Sequence, residues 1–213
     1  MIRKSHISSG AQLAIGCFAS ICRNHLGDEL LDFARQCPDV ELGMHEMPRA
    51  SLLPALAKGE LALAILPETQ WSGALPSAEL WQDRVMVAAH RAHPLAQLST
   101  IMPERLSGEV FLVSRQGHGG DMHRFLTQRI LPDEPSLDTM LVDLDQGALM
   151  EAVAARRGIA LICASHCDDI GPAVAMRPVR DADFAVRAYW NDDAPQGPLA
   201  ALIAILTTGQ MDG

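Results

Sequence analysis

The sequence predicts an α/β protein built as two doubly wound, Rossmann-like lobes joined by a two-strand hinge. Three observations predict it. Residues 12 to 66 alternate as strand, helix, strand, helix, strand. The segments LPALAKGELALAI (Leu53 to Ile65) and MEAVAARRGIALI (Met150 to Ile162) share one design of apolar helix end, basic residue, glycine and apolar strand. Two further strands, around Val85 to Ala89 and around Val186 to Trp190, are placed where the chain must pass from one unit to the other and back.

Each element has its own warrant. Residues 1 to 10 are polar, end in Ser-Ser-Gly and read as a tail or linker stub. Gln12 to Gly16 forms the first strand. Leu26, Leu30, Phe33, Ala34 and Cys37 fall at helical spacing, with Ser20 or Asp28 as the capping residue and Pro38-Asp39 as the stop. Val40, Leu42 and Met44 alternate as a half-buried strand. Pro48 to Ser51 turns into a second helix with Leu52, Leu53, Leu56 and Ala57 inward. Lys58-Gly59 ends that helix with a cation near the carbonyls and a residue free to turn left-handed. Glu60 to Leu66 is a nearly all-apolar strand, as a parallel strand buried on both faces should be.

Residues 67 to 82 are loop-like, with Pro67, Gly73 and Pro76, before the strand Arg84 to Ala89. His93 to Ala96 turns the chain and Pro103 to Leu106 makes a helical turn. Val110 to Val113 is a strand, Ser114 to Gly120 a glycine-rich loop, Asp121 to Ile130 a helix and Thr139 to Val142 a strand. Asp145 to Arg157 is a helix with Leu149, Met150, Val153 and Ala154 inward, ended by Gly158 and followed by the strand Ile159 to Cys163. Strands near Val174 to Val179 and Phe184 to Trp190 follow. Pro198 stands in the first turn of a last helix whose Leu199, Leu202, Ile203 and Leu206 share a face. The expected division is lobe I at 11–86 and 189–213, and lobe II at 87–188.

Composition narrows the function. Among 213 residues the net charge is −9, a poor match to the basic face that grips a duplex. No apolar run reaches the length of a membrane span, and MIRKSHISSG has no apolar signal segment. The five cysteines are odd in number and lack a metal-finger spacing, which fits a reducing, cytoplasmic compartment. His118, Asp121 and His123 lie close in sequence without a fourth ligand nearby, so neither a metal nor a cofactor is expected. Cys163 closes a buried strand, where thiols are usually inert; Cys17, Cys22 and Cys167 give no stronger sign of redox sensing. No nucleophile elbow is present to support hydrolase chemistry.

Several ordered motifs give the chain a resemblance. They are Ala14 to Ser20 (AIGCFAS), FARQCPDVEL (Phe33 to Leu42), LPALAKGELALAI, AHPLA (Ala92 to Ala96) and VAARRGIALI (Val153 to Ile162). Over residues 10 to 208 the chain resembles the effector-binding domain of LysR-type transcriptional regulators, a type II periplasmic-binding-protein fold. It departs from the family's pattern at Cys163, where proline is frequent, and at Arg156-Arg157, where small residues are frequent. The resemblance implies a small-molecule effector held between the lobes, and a homodimer or homotetramer. It also implies DNA binding only through a winged helix-turn-helix domain not present in these residues, with no membrane partner.

The resemblance also places effector contacts at corners of the cleft. The first is Cys17, Phe18, Ala19 and Ser20, where Ser20 and the helix-start N–H groups face the ligand; a plain N-cap is the alternative for Ser20. The second holds Arg49 and Ser51. An arginine there suits a carboxylate by bidentate pairing, and its place in a helix's first turn is unfavourable without an anionic partner. The third is the loop with Ser114, Arg115, Gln116 and His118, its glycines allowing close backbone approach. A fourth corner, Asp145 to Gly147, reads as a helix cap. The preferred function is a non-enzymatic sensor of a small anionic metabolite. The alternatives are a free solute-binding protein and an enzyme on the same fold, such as a dehydratase.

Overall fold

In the computed structural model the described residues are 11–18, 26–68, 75–115, 119–134, 137–166 and 170–208. Lobe I begins with β1 (Ala11–Phe18), α1 (Gly27–Gln36), β2 (Val40–Met47), α2 (Arg49–Ala57) and β3 (Leu63–Pro67). β1 pairs in parallel with β2 on one side and β3 on the other. Alternation along these strands explains the layers. Leu13, Ile15, Cys17, Leu63 and Ile65 pack with Phe33 of α1, while Phe18, Ala64 and Leu66 pack with Leu52, Ala55 and Leu56 of α2. β3 is buried along its whole length, as its apolar run requires. β2 is an edge strand, and Met44 is exposed there rather than half-buried. In α2 the inward set is Leu52, Ala55 and Leu56, with Ala57 exposed, so the buried stripe is shifted from the expected one. Gly59 takes the left-handed φ of +73°.

Lobe II repeats the plan with β5 (Phe111–Ser114), α3 (Gly119–Phe125), β6 (Thr139–Val142), α4 (Gln146–Ala154) and β7 (Ala160–Cys163). α3 runs on into a π-helical turn, Leu126–Ile130. β5 pairs in parallel with β6 and bridges to β7 at Phe111 and Ile159. Phe111, Val113 and Leu161 pack under Met122, Phe125 and Leu126; Leu112, Ala160 and Ile162 pack under Leu149, Met150 and Val153. α4 ends at Ala154, earlier than expected. Its left-handed residue is Arg156 (φ 59°), at the place Gly59 fills in lobe I. Asp145 caps α4, accepting from the Ala148 N–H at 2.9 Å.

Two long strands join the lobes: β4 (Ser77–His90) and β8 (Val174–Tyr189). They are antiparallel partners along most of their length, with register shifts at Glu79/Trp81 and Arg84/Met86. The main sheet runs β2-β1-β3-β8-β4-β7. The end of β8, Val186 to Tyr189, pairs with β3, and Val85 to Ala88 of β4 pair with β7. The two separate strands expected after residue 173 are therefore one strand, bent where Asp181 takes φ 55°. β4 begins at Ser77, inside a segment that reads as loop. The last helix, α5 (Gly197–Thr208), covers the lobe I sheet with Leu202 and Leu206. Among the described residues no helix is long and apolar enough to cross a membrane.

Candidate functional site

β1, β3, β5 and β7 all point their carboxyl ends at the crossing of β4 and β8, which is where open α/β sheets bind ligands. Two helices also begin there, α2 from lobe I and α3 from lobe II. Their first turns carry opposite charges. Arg49 opens α2 and is half-buried. Its Nη1 donates to the Pro67 carbonyl at the end of β3, at 2.6 Å. Burial lowers the Arg49 pKa, and the carboxylate of Asp121 is the largest influence acting the other way, followed by Tyr189. Asp121, in the first turn of α3, is 8% exposed. Burial raises its pKa, and the charges of Arg49 and Arg124 oppose that rise. Arg124 lies 3.6 Å from Asp121. An arginine of lobe I and a carboxylate of lobe II thus each favour the other's charged form.

A guanidinium has five N–H donors. The Pro67 carbonyl fixes one side of the Arg49 fork, which sets its orientation and leaves other donors for a partner. Ser51 lies half-buried two residues further on, its N–H donating to the Pro48 carbonyl at 2.8 Å.

The first corner is placed only in part. Cys17 and Phe18 are buried at 4% and 3% exposure, their side chains in the two cores of lobe I. Ala19 and Ser20 lie outside the described residues, as do Gln116 and His118. Ser114 is buried at the end of β5. Its hydroxyl donates to the Leu144 carbonyl at 2.5 Å, which ties β5 to the start of α4. Gly119 runs so close to the Ser114 carbonyl that a Cβ there would collide with the backbone, so position 119 requires glycine. The Arg115 side chain is exposed, while its N–H donates to the Val142 carbonyl at 2.9 Å. The described contacts therefore bring Arg49, Ser51 and Asp121 toward one cleft and leave Arg115 on its rim.

Beside the crossing strands is a second recess of about 490 Å³, lined by Gln82, Asp83, Arg84, Met86, Ala164, Ser165, Pro178 and Asp183. Asp83 is buried and accepts from the Ser165 hydroxyl at 2.6 Å and the Ser165 N–H at 3.3 Å. It also accepts from its neighbour's N–H, that of Arg84, at 2.7 Å. This ties β4 to the turn after β7. Sequence reasoning missed Asp83 and Ser165, and it considered Asp121 only as a metal ligand. The available signal for Asp83 was a carboxylate two residues before the apolar run Val85 to Ala89. Asp121 gave no such signal, because its partner lies in the other lobe. Among the described residues no group of three or more His, Cys, Asp or Glu side chains is arranged to hold a metal. Cys163 is buried with its Sγ 3.9 Å from the Met122 Sδ.

Comparison with known proteins adds the following. The family model for the LysR substrate binding domain matches residues 8–210. The HTH-type transcriptional regulator MetR of Escherichia coli K12 is 29% identical over 154 residues, covering 71% of this chain and 46% of MetR. The dual regulator OxyR of the same organism is 29% identical over 150 residues, covering 70% of this chain and 45% of OxyR. The chain therefore spans about half the length of these relatives. The BenM effector binding domain, solved with its effector benzoate, superposes with a TM-score of 0.74 at 21% identity, covering 92% of this chain and 90% of that one. That likeness establishes a shared fold, the type II periplasmic-binding-protein architecture.

Proposed function

Since the chain belongs to the LysR substrate binding domain family, we propose that it is the effector-sensing part of a LysR-type transcriptional regulator. Its effector is a small anionic metabolite, most simply a carboxylate, bound between the lobes without being converted. The observation that carries this reading is Arg49. It is a half-buried cation at the cleft, oriented by the Pro67 carbonyl, and the carboxylate that most favours its charged form belongs to the opposite lobe. A ligand carboxylate would pair with the same guanidinium and so compete with Asp121 for it. Benzoate, the effector named for the BenM domain, belongs to this chemical class.

Competition at Arg49 supplies the coupling. Any ligand that binds one lobe arrangement more tightly shifts the population toward it. We propose that lobe I comprises residues 11–86 with the end of the chain, and lobe II the residues between. The boundary in β8 then falls at Arg180 to Asp183 rather than at 188/189, because Val186 to Tyr189 pair with β3. The assembly follows from the family: a homodimer or homotetramer in which α1 of one subunit packs beside lobe II of the next. DNA would be reached through a winged helix-turn-helix domain outside these residues. The cell compartment would be the cytoplasm.

The test is a thermal-shift screen with small aromatic and aliphatic carboxylates, repeated on Arg49→Ala. A stabilising carboxylate should lose at least about tenfold in affinity in that variant, the scale of one charge-assisted hydrogen bond. A carboxylate bound equally well by Arg49→Ala would sink the assignment. Conversion of the bound ligand, followed by NMR, would sink the sensor reading in favour of an enzyme.

A further inference from the structure

At the end of lobe II away from the cleft, the amino-terminal approaches to β5 and β7 and the carboxyl end of β4 enclose a groove of about 340 Å³. Its walls are His90, His93 and Pro94 from the turn after β4, Gly108 to Val110 before β5, and Arg156 to Gly158 before β7. Val110 directly precedes β5 and Ser114 ends it. At ~3.3 Å per residue, the groove is roughly 13 Å from the cleft corner at Ser114.

We infer that this groove is a second ligand site, independent of the cleft, that takes a phosphate-class oxyanion. Four of its lining side chains are basic or can become so, against one carboxylate, in a chain whose net charge is −9. The carboxylate, Glu109, is occupied: its Oε2 lies 3.3 Å from the His93 Nε2. Both imidazoles are oriented by the backbone. His90 Nδ1 accepts from the Ala92 N–H at 3.0 Å, and His93 Nδ1 accepts from the Leu95 N–H at 3.2 Å. An Nδ1 that accepts cannot carry the proton in the neutral ring, so each Nε2 is a donor. Among the described residues neither Arg156 nor Arg157 forms an ion pair or a side-chain hydrogen bond, and both side chains are exposed.

The arginines are also held in place. Arg156 has a left-handed backbone, φ 59°, a conformation that non-glycine residues rarely adopt. The Arg156 N–H donates to the Val153 carbonyl at 2.9 Å and the Arg157 N–H to the Ala152 carbonyl at 3.1 Å. Gly158 is pressed against the Val110 carbonyl, where a Cβ would stand 2.5 Å from the oxygen. The turn that presents both guanidinium groups is thus anchored to α4 behind it and to the start of β5 beside it. Two planar forks and an oriented N–H donor converging on one open groove suit a tetrahedral oxyanion better than a planar carboxylate.

The test is isothermal titration of the chain with inorganic phosphate, then with a nucleoside monophosphate and with acetate. The variants are Arg156→Asn/Arg157→Ala, in which asparagine tolerates the left-handed backbone, and separately His90→Gln, which leaves that turn untouched. Expected are saturable phosphate binding, at least about tenfold weakening in the double variant and a smaller loss in His90→Gln. Arg49→Ala should bind phosphate unchanged, which separates this site from the cleft. Tighter binding of the monophosphate would assign the site to a phosphorylated metabolite, and equal binding to free phosphate. The proposal is overturned if phosphate does not saturate, if the double variant folds and binds as well as wild type, or if acetate binds as tightly as phosphate.

Discussion

At the scale of single residues, Arg49 and Asp121 influence each other's ionisation across the two lobes. Burial holds the Asp121 carboxyl above its ordinary pKa despite two nearby arginines. A carboxyl with a raised pKa in the folded state binds its proton more tightly there than in the unfolded chain. Its ionised form therefore subtracts stability at neutral pH, and the deficit fades as pH falls through the raised value. Asp121→Asn is expected to be more stable than wild type at pH 7 in urea titrations, with the gap closing toward pH 4. A gap that widens on acidification would contradict this account. The same variant should bind an anionic ligand more tightly, because Arg49 loses its internal competitor; weaker binding would mean that Asp121 contacts the ligand itself. Arg49 was legible in the sequence as a cation at the wrong end of a helix. Its partner was not, because the attraction runs between positions 49 and 121 and only the lobe arrangement brings them together.

Among the elements, the crossing strands carry the most information. Asp83 of β4 is buried and accepts three hydrogen bonds, two of them from Ser165. Arg84, next to it, makes an exposed ion pair with Asp183 of β8 at 2.9 Å. The environments predict different costs. Asp83→Ala should destabilise the fold by about 1–3 kcal/mol, since it strands buried donors. Arg84→Ala should have a clearly smaller effect, as the loss of an exposed pair does. Chemical denaturation of both variants would check the contrast, and equal effects would refute it. These strands are also where sequence reading fell short. The run Arg180-Asp181-Ala182-Asp183 looks like a loop between two strands, yet the ladder continues through it by a register shift and one left-handed residue. The first half of β4 was hidden because Ser77 to Gln82 mixes polar and apolar residues and follows Pro76. The parallel strands were legible because burial on both faces leaves an uninterrupted apolar run, as in β3. The stripe of α2 was misjudged around Pro54: Ala55 is buried, Ala57 is exposed and Leu53 is only half-buried.

For the whole molecule, the two lobes leave matching apolar edges. Leu31 of α1 and Met44 of β2 are exposed at 57% and 42% on lobe I, and Met140 and Leu141 of β6 at 41% and 53% on lobe II. An isologous dimer that places the α1 edge of one subunit on the β6 edge of the other would cover both pairs twice. Leu31→Glu and Leu141→Glu should each weaken self-association at least about tenfold in sedimentation equilibrium; unchanged association in both would exclude this surface. The crossing of β4 and β8 bears on synthesis as well as on sensing. Pro67 of β3 pairs with Val186 of β8, and Ala64 with Tyr189. During translation, at ~5–20 residues per second, β3 therefore waits on the order of ten seconds for its neighbour to leave the ribosome. Throughout that wait an apolar strand presents an unpaired edge, the template on which chains aggregate. The strand that later completes the hinge thus also closes an edge that the nascent chain leaves open.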